Sequence, residues 1–370
     1  MNAIPFGNLS REYHSHKKGI DAALQRVLRR GWFILGPEVE LFEKEFAKWS
    51  GARYAIGTAN GLEALQIALM GLGIGPGDEV ITTPLSAVAT ALAITAVGAR
   101  VIFADIDPDT FNLDPLDVAK RITSKTVAIL PVHLYGQAAD LSGLRKLARD
   151  HDLFLVEDCA QAHGAQYHGR HVGTFGEMGA FSFYPSKNLG AYGDAGCIIT
   201  NDKKLADHAR ALRDYGQVGR YNHVYAGINS RLDEIQAAIL RVKLRTLRQS
   251  NARRRRIAAY YTKELAVMPL KLPLEKKGAM HVWHQYVVRT SRRAELARFL
   301  ARRGIATQVH YPAVIYKQPV YRSLGYHSTA CRVAERAVTE ILSLPVYPEL
   351  TDAEVRRVVV SIKDFFQHGN

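Results

Sequence analysis

The chain has 370 residues, which is too long for one small core and suits a large domain with a smaller one. Hydrophobic residues make up 47% and charged residues 23%, as expected for a soluble globular protein, and no apolar run approaches the length of a membrane span. Three widely spaced cysteines exclude a disulfide framework and a zinc cluster. The first residues show no secretory pattern, so we expect a cytoplasmic protein.

The net charge of +14 is compatible with two kinds of partner. A basic face could bind nucleic acid, or a general positive field could attract small anions. The densest run of arginines, residues 253–256, falls inside a predicted helix, where four consecutive side chains point around the axis and form no stripe. We therefore expect a solvated helix surface there and a small anionic substrate, with neither nucleic acid nor membrane as partner.

The predicted elements alternate along most of the chain. Two amphipathic helices come first and end at Gly31 and Gly51. Strands are then predicted at 54–58, 79–83, 101–104, 127–132, 153–156, 181–184 and 197–200, with helices at 62–70 and 87–97. This alternation predicts a mostly parallel sheet with helices on both faces.

A smaller α+β unit is predicted after the sheet. One long helix at 231–265 leads into strands at 285–289 and 307–310 and helices at 294–303 and 352–366. We therefore expect a large α/β domain over residues 1–250 and a smaller C-terminal α+β domain over residues 251–370.

Lys187 is the most informative residue of the chain. It follows an alternating apolar strand, Ala180 to Tyr184, and a proline, and a glycine-rich turn comes after it. An amine at the end of a buried strand can be kept partly neutral and nucleophilic by desolvation. Such a lysine is a natural Schiff-base former.

Asp158 ends a second apolar strand, residues 153–157, upstream of Lys187. In open α/β sheets, ligands bind beyond the carboxyl ends of the strands, so the two side chains can share one crevice. Pyridoxal 5′-phosphate (PLP) needs both groups: a lysine for its aldehyde and an acid for its ring nitrogen. Alone, Asp158 would be interpreted as a helix N-cap; together with Lys187 it indicates a PLP site.

Further residues are candidates for the same crevice. Gly61 and Leu62 begin a helix, whose free N–H groups favour a phosphate, and Ser182 is placed to reach the same phosphate. Asn229 begins another helix, as an N-cap or as a ligand. The remaining candidates are Gln161 for the ring hydroxyl, and His163, Tyr184, His310 and Tyr311 for ring or substrate, although each also fits an ordinary structural role.

Together these segments resemble the nucleotide-sugar aminotransferases of the DegT/StrS type, which are fold-type-I PLP enzymes. The resemblance runs over nearly the whole chain and rests on residues 74–80, 156–161, 180–190, 227–238 and 309–312. Two departures stand out. Residues 84–90 lack the aromatic residue that usually covers the PLP ring, and Leu62 replaces the usual threonine at the phosphate.

The resemblance implies a role for each candidate. Lys187 would form the Schiff base with PLP and Asp158 would pair with the ring nitrogen. Gln161 would contact the ring hydroxyl, and the phosphate would be held by Gly61, Leu62 and Ser182. Asn229 would reach the phosphate bound in a neighbouring subunit, which implies a homodimer with shared active sites.

The expected activity is transfer of an amino group from L-glutamate to a nucleotide-linked keto-sugar. The segments at 229–231 and 309–319 look most like relatives that aminate C3 of a 6-deoxyhexose linked to dTDP. Alternatives are a 4-keto or a UDP- or GDP-linked sugar, a sugar dehydratase, or a basic nucleic-acid-binding or regulatory protein on the same fold. Some relatives that dehydrate carry histidine at the lysine position, so Lys187 argues against dehydration.

Overall fold

The computed structural model describes residues 3–326 and 330–368. Within these ranges the helices are α1 (Leu9–Arg30), α2 (Pro37–Ser50), α3 (Gly61–Gly71), α4 (Val88–Ala96), α5 (Pro115–Arg121), α6 (Leu141–Asp150), α7 (Lys203–Leu212), α8 (Glu234–Leu244), α9 (Leu247–Leu265), α10 (Arg293–Arg302), α11 (Pro319–Ser323), α12 (Arg332–Glu340) and α13 (Asp352–His368). The strands are β1 (Tyr54–Thr58), β2 (Glu79–Thr82), β3 (Arg100–Phe103), β4 (Thr126–Leu130), β5 (Phe154–Asp158), β6 (Gln166–Tyr167), β7 (Arg170–His171), β8 (Met178–Ser182), β9 (Gly196–Thr200), β10 (Ala279–Met280), β11 (Tyr286–Arg289) and β12 (Ile341–Leu344).

A seven-stranded sheet forms the centre of the molecule, with the order β1-β9-β8-β5-β4-β2-β3. Its strands are parallel except that β9 runs against both of its neighbours. Because β5 and β8 are adjacent and parallel, the chain segments that follow them leave the sheet at the same edge. The predicted mostly parallel α/β fold is therefore confirmed.

Both faces of this sheet are buried, which explains its nearly continuous apolar strands. Residues such as Ile56 and Val156 pack into a core on the side of α3 and α4. Residues such as Leu155 and Ile199 pack on the opposite side, where Phe42 of α2 lies. The site at the strand ends is thus built on a framework buried on two sides.

A separate core lies around the two-stranded sheet of β11 and β12, between α9, α10 and α13. Ile4 belongs to this core, and it pairs with the far end of the chain: its N–H donates to the Gly304 carbonyl at 2.7 Å, and its carbonyl accepts from Ala306 at 3.0 Å. The predicted boundary at residues 250 and 251 falls within α9. The division into two domains stays a prediction.

Two sequence-based assignments were wrong. The single helix predicted at 231–265 is two helices, because the chain breaks between α8 and α9 at Arg245 and Thr246. The Thr246 hydroxyl donates to the Lys243 carbonyl at 3.1 Å and is hydrogen-bonded to the His16 ring of α1 at 2.9 Å. The first of these bonds satisfies a carbonyl at the end of α8. The strand predicted at 307–310 is reduced to one bridge, between Gln308 and Ser343.

The arginine run at 253–256 is only partly a solvated surface. Arg254 is buried and donates to the carbonyls of Trp283 and Val346. Arg253 and Arg255 instead pair with Asp352 and with Glu275 near the surface. In the described part of the chain, no helix is long and apolar enough to cross a membrane.

Candidate active site

Lys187 lies in the turn that follows β8, as predicted. The strand direction is kept beyond Ser182 by Phe183, whose N–H donates to Ala195 and whose carbonyl accepts from Ala191. The Lys187 side chain is half-buried and lines a cleft of about 710 Å³. Burial lowers the pKa of this amine to about 8, against the opposing effect of the Asp158 charge. The amine is therefore much closer to neutrality at physiological pH than an ordinary lysine.

Asp158 is the last residue of β5 and is almost fully buried. Its backbone is fixed by two hydrogen bonds to the chain after β4, with the Pro131 carbonyl and the His133 N–H. Its carboxylate accepts from the Ala160 N–H at 3.0 Å and from the Thr90 hydroxyl at 2.8 Å. Burial raises the pKa of this carboxyl, while these donors and the Lys187 charge lower it.

The start of α3 is packed directly against Ser182. A Cβ on Gly61 would lie 2.5 Å from the Ser182 Cβ, so only glycine allows this approach. Asn60 caps the helix by accepting from the Glu63 N–H at 2.9 Å, which leaves the N–H groups of Gly61 and Leu62 for an external acceptor. The predicted phosphate residues are thus brought together at one helix N-terminus beside a serine hydroxyl.

Gln161 links the segment after β5 to the C-terminal part of the chain. Its side-chain oxygen accepts from the Tyr135 N–H at 2.7 Å, and its amide nitrogen donates to the Tyr311 hydroxyl at 3.0 Å. The Tyr135 hydroxyl in turn donates to the His310 carbonyl. Burial and the Asp158 charge raise the pKa of Tyr311 to about 12, so its hydroxyl stays protonated.

The remaining substrate candidates differ in accessibility. Tyr184 is exposed, lies beyond the end of β8 and lines the same cleft as Lys187 and His310. Burial and the Lys187 charge lower the pKa of His310 to about 4. His163 is fully buried between the rings of Phe181 and Phe183, at 5.5 Å from each, and burial lowers its pKa to about 3.

Asn229 lies apart from the Lys187 cleft. It is exposed, and its backbone forms a bridge with Asp214. The next residue, Ser230, is fully buried and accepts from the Ala59 N–H at 3.1 Å. The backbone at Asn229 is therefore held near the start of α3, and its side chain is exposed.

Sequence reasoning missed a buried carboxylate next to Asp158. Glu157 accepts four hydrogen bonds, from the His133 ring at 2.9 Å and from the N–H groups of Gly173, Phe175 and Gly176. These donors lower the pKa of Glu157 in spite of its burial. Glu157, His133 and Cys159 are close enough to hold a metal, but the four donors already occupy the carboxylate lone pairs. The sequence did carry a signal for this site, because Glu157 is an acidic residue within strand β5, directly after its apolar residues 154–156.

The N-terminal segment was also missed as part of the site. Residues 5–9 line the Lys187 cleft, and the half-buried ring of Phe6 lies 5.6 Å from the ring of His310. Nothing in the local pattern at 5–9 indicates this position, because it results from the pairing of Ile4 with residues 304–306.

A lysine of lowered pKa whose charge interacts with a buried carboxylate at the strand ends of an α/β sheet, with a helix N-terminus packed against the same strand, is typical of the class of fold-type-I PLP enzymes. The sequence matches the DegT/DnrJ/EryC1/StrS aminotransferase family over residues 14–363, and the chain belongs to this family.

Similar proteins cover nearly the whole chain. A protein of Geobacillus stearothermophilus named "Pleiotropic regulatory protein" is 48% identical over 99% of each chain. The dTDP-3-amino-3,4,6-trideoxy-alpha-D-glucose transaminase of Streptomyces venezuelae is 45% identical over 98% of this chain and 96% of its own. The crystal structure of S. venezuelae DesV in complex with a ketimine intermediate covers 100% of both chains, with a TM-score of 0.97 and 44% identity.

Proposed function

We propose that this protein is a PLP-dependent aminotransferase that converts a dTDP-linked 3-keto-6-deoxyhexose to the amino sugar, with L-glutamate as amino donor. One observation carries the proposal: Lys187, its pKa lowered by burial, interacts electrostatically with Asp158 in a chain that is 45% identical to a dTDP-amino-sugar transaminase. Membership of an aminotransferase family supports the reaction type.

The residues present fit PLP. The close contact of Gly61 with Ser182 leaves a helix N-terminus and a hydroxyl for the phosphate, with Leu62 supplying a second N–H. We assign Gln161 to the ring hydroxyl of PLP. Its amide nitrogen, which donates to the Tyr311 hydroxyl here, would donate to the PLP hydroxyl instead. When bound, PLP supplies an electron-withdrawing ring that carries the amino group between the two substrates.

Lys187 and Asp158 divide the proton chemistry between them. Burial, which lowers the pKa of the Lys187 amine to about 8, increases its neutral fraction at physiological pH. With PLP bound, this amine would carry a proton from Cα of the amino donor to the cofactor carbon C4′ in the first half of the reaction, and from C4′ to the sugar carbon that receives nitrogen in the second half. Asp158 holds a proton on the ring nitrogen, and its burial excludes water from that contact.

The cleft next to Lys187 is the proposed site of both substrates. Tyr184, His310 and Phe6 line it, and Tyr311, which follows His310 in the chain, accepts a hydrogen bond from the Gln161 amide. Because the pKa of His310 is lowered to about 4, its ring is neutral at physiological pH and serves as a hydrogen-bond partner for sugar hydroxyls. We assign His163 to packing beneath the strand, because it is fully buried. The net charge of +14 favours a diphosphate.

We further propose a homodimer with shared active sites in the cytoplasm. Asn229 is exposed and is not part of the lining of the Lys187 cleft, as expected for a residue that serves a neighbouring subunit. Large apolar side chains are exposed in two segments, at 32–34 and at 215–225, which favours a covered surface. The three cysteines are free and buried, which suits a reducing compartment.

The decisive experiment follows 2-oxoglutarate when the protein is incubated with PLP, L-glutamate and a panel of nucleotide-linked 3-keto and 4-keto sugars. We expect turnover with the dTDP-linked 3-keto sugar and none with Lys187→Ala. Turnover that persists in the Lys187→Ala variant, or borohydride treatment that leaves no pyridoxyl label on Lys187, contradicts the proposal.

Product analysis separates the rival functions in the same experiment. A dehydratase gives a sugar that has lost water and gained no nitrogen. A regulatory protein on this fold binds DNA in a salt-dependent manner without producing 2-oxoglutarate. Each of these results replaces the aminotransferase proposal.

A further inference from the structure

A short chain of buried hydroxyl groups ends on Asp158. The Ser86 hydroxyl lies 2.9 Å from the Thr90 hydroxyl, which lies 2.8 Å from one carboxylate oxygen of Asp158. Ser86 and Thr90 are 4% and 1% exposed, so water does not compete for these bonds. Thr90 is in the first turn of α4, and Ser86 is in the loop before it. The chain therefore joins the β2–α4 connection to the end of β5.

The direction of hydrogen bonding along this chain is fixed when Asp158 is ionised. A carboxylate only accepts, so the single proton of Thr90 must be donated to it. The Thr90 oxygen can then only accept from Ser86, which makes Ser86 the donor. Hydrogen bonds to a charged group are stronger than neutral ones, and those that follow in a chain reinforce each other.

The two oxygens of Asp158 are held by different elements. One accepts from the Ala160 N–H, two residues further along the same segment. The other accepts from Thr90, which belongs to the first turn of α4, 68 residues earlier in the chain. Without Thr90, rotation of the carboxylate would be restrained on one side only.

We propose that Thr90, with Ser86 behind it, is a positioning residue that orients the Asp158 carboxylate and keeps it ionised toward the ring nitrogen of bound PLP. The inference rests on the proposed function and extends it to residues outside the cofactor contact. Lys187, His133, Tyr311 and Cys159 are the other titratable groups that interact electrostatically with Asp158, and the variants below leave them unchanged.

The test compares two ligands on the apoprotein: PLP, and its analogue in which C–H replaces the ring nitrogen. Thr90→Val keeps the side-chain shape and removes the donor. We expect it to weaken PLP binding about tenfold while the affinity for the analogue stays unchanged, because the analogue makes no bond to Asp158. Thr90→Ser retains a hydroxyl and should bind PLP nearly as the wild type does.

Two further measurements complete the test. Ser86→Ala should weaken PLP binding in the same direction but less, because it removes only the second donor. In an Asp158→Asn background, Thr90→Val should have little additional effect on PLP affinity. An equal loss of affinity for PLP and for the analogue overturns the inference, as does a loss that Thr90→Ser shares. Wild-type protein that binds no PLP refutes the proposed function instead.

Discussion

The lowered pKa of Lys187 can be measured directly on the apoprotein. Burial brings this pKa to about 8, from 10.5 for an ordinary lysine. At pH 8 about half of the Lys187 amines are neutral, compared with about 0.3% of ordinary lysines. Only the neutral amine is nucleophilic. At pH 8 and equal intrinsic reactivity, Lys187 should therefore react roughly 150-fold faster than a lysine with the ordinary pKa.

The assay is competitive labelling with trace acetic anhydride between pH 6 and 11, followed by mass spectrometry of the peptides. The half-maximal reactivity of Lys187 should fall near pH 8. Lys17 is the internal control, since its hydrogen bonds to Asp21 and Tyr13 raise its pKa above the ordinary value.

A matched variant tests the cause of the shift. The Asp158 charge raises the pKa of Lys187 against the effect of burial, so Asp158→Asn should lower the midpoint further. A Lys187 that titrates near 10.5 in the wild type, or a midpoint that rises in Asp158→Asn, would refute the argument that burial activates this amine.

Four further outcomes are expected. The pKa of Lys187 is lower in the folded than in the unfolded protein, so its positive charge destabilises the fold at pH 7. In the apoprotein, Lys187→Met should therefore raise the free energy of unfolding, measured with denaturant, by up to about 3 kcal/mol. This gain should fade between pH 8 and 10.5, where the wild-type lysine loses its charge. Glu157→Gln should lower the free energy of unfolding by about 3 kcal/mol in the same measurement, because the new amide NH₂ is a donor and cannot accept from the backbone N–H groups that now bond the carboxylate. Gly61→Ala should abolish 2-oxoglutarate formation and lower the free energy of unfolding by about 1–3 kcal/mol, because the added Cβ collides with Ser182. Mixing Asn229→Ala with Lys187→Ala should restore roughly a quarter of wild-type activity if subunits share sites, since half of the dimers then hold one intact site.

The central fold and the position of Lys187 could be predicted because local patterns determine them. Apolar alternation and glycine-rich turns locate the strands, and the rule for parallel sheets places residues that follow β5 and β8 at one edge. Asp158 was found in this way. The contacts of Thr90 and Glu157 could not be found, because their partners lie 68 and up to 24 residues away and no spacing encodes them.

The errors have a common physical origin in tertiary contacts. No glycine or proline marks the break between α8 and α9, and the sequence around Thr246 favours helix. At the break, the Thr246 hydroxyl is hydrogen-bonded to the Lys243 carbonyl and to the ring of His16 in α1, and the second of these is a tertiary contact. At 307–310, β-type residues form a single bridge, and His310 bonds Ser343 through its ring at 2.9 Å. Local propensity was overridden in both places.

The pairing of Ile4 with residues 304–306 has a practical consequence for work on this protein. Because this pairing holds residues 5–9 against the Lys187 cleft, an affinity tag fused ahead of residue 3 would lie next to the proposed substrate site. Such a fusion would crowd the cleft and raise apparent Michaelis constants without touching Lys187. Recombinant material for kinetic studies should therefore carry a cleavable tag, or one attached after α13.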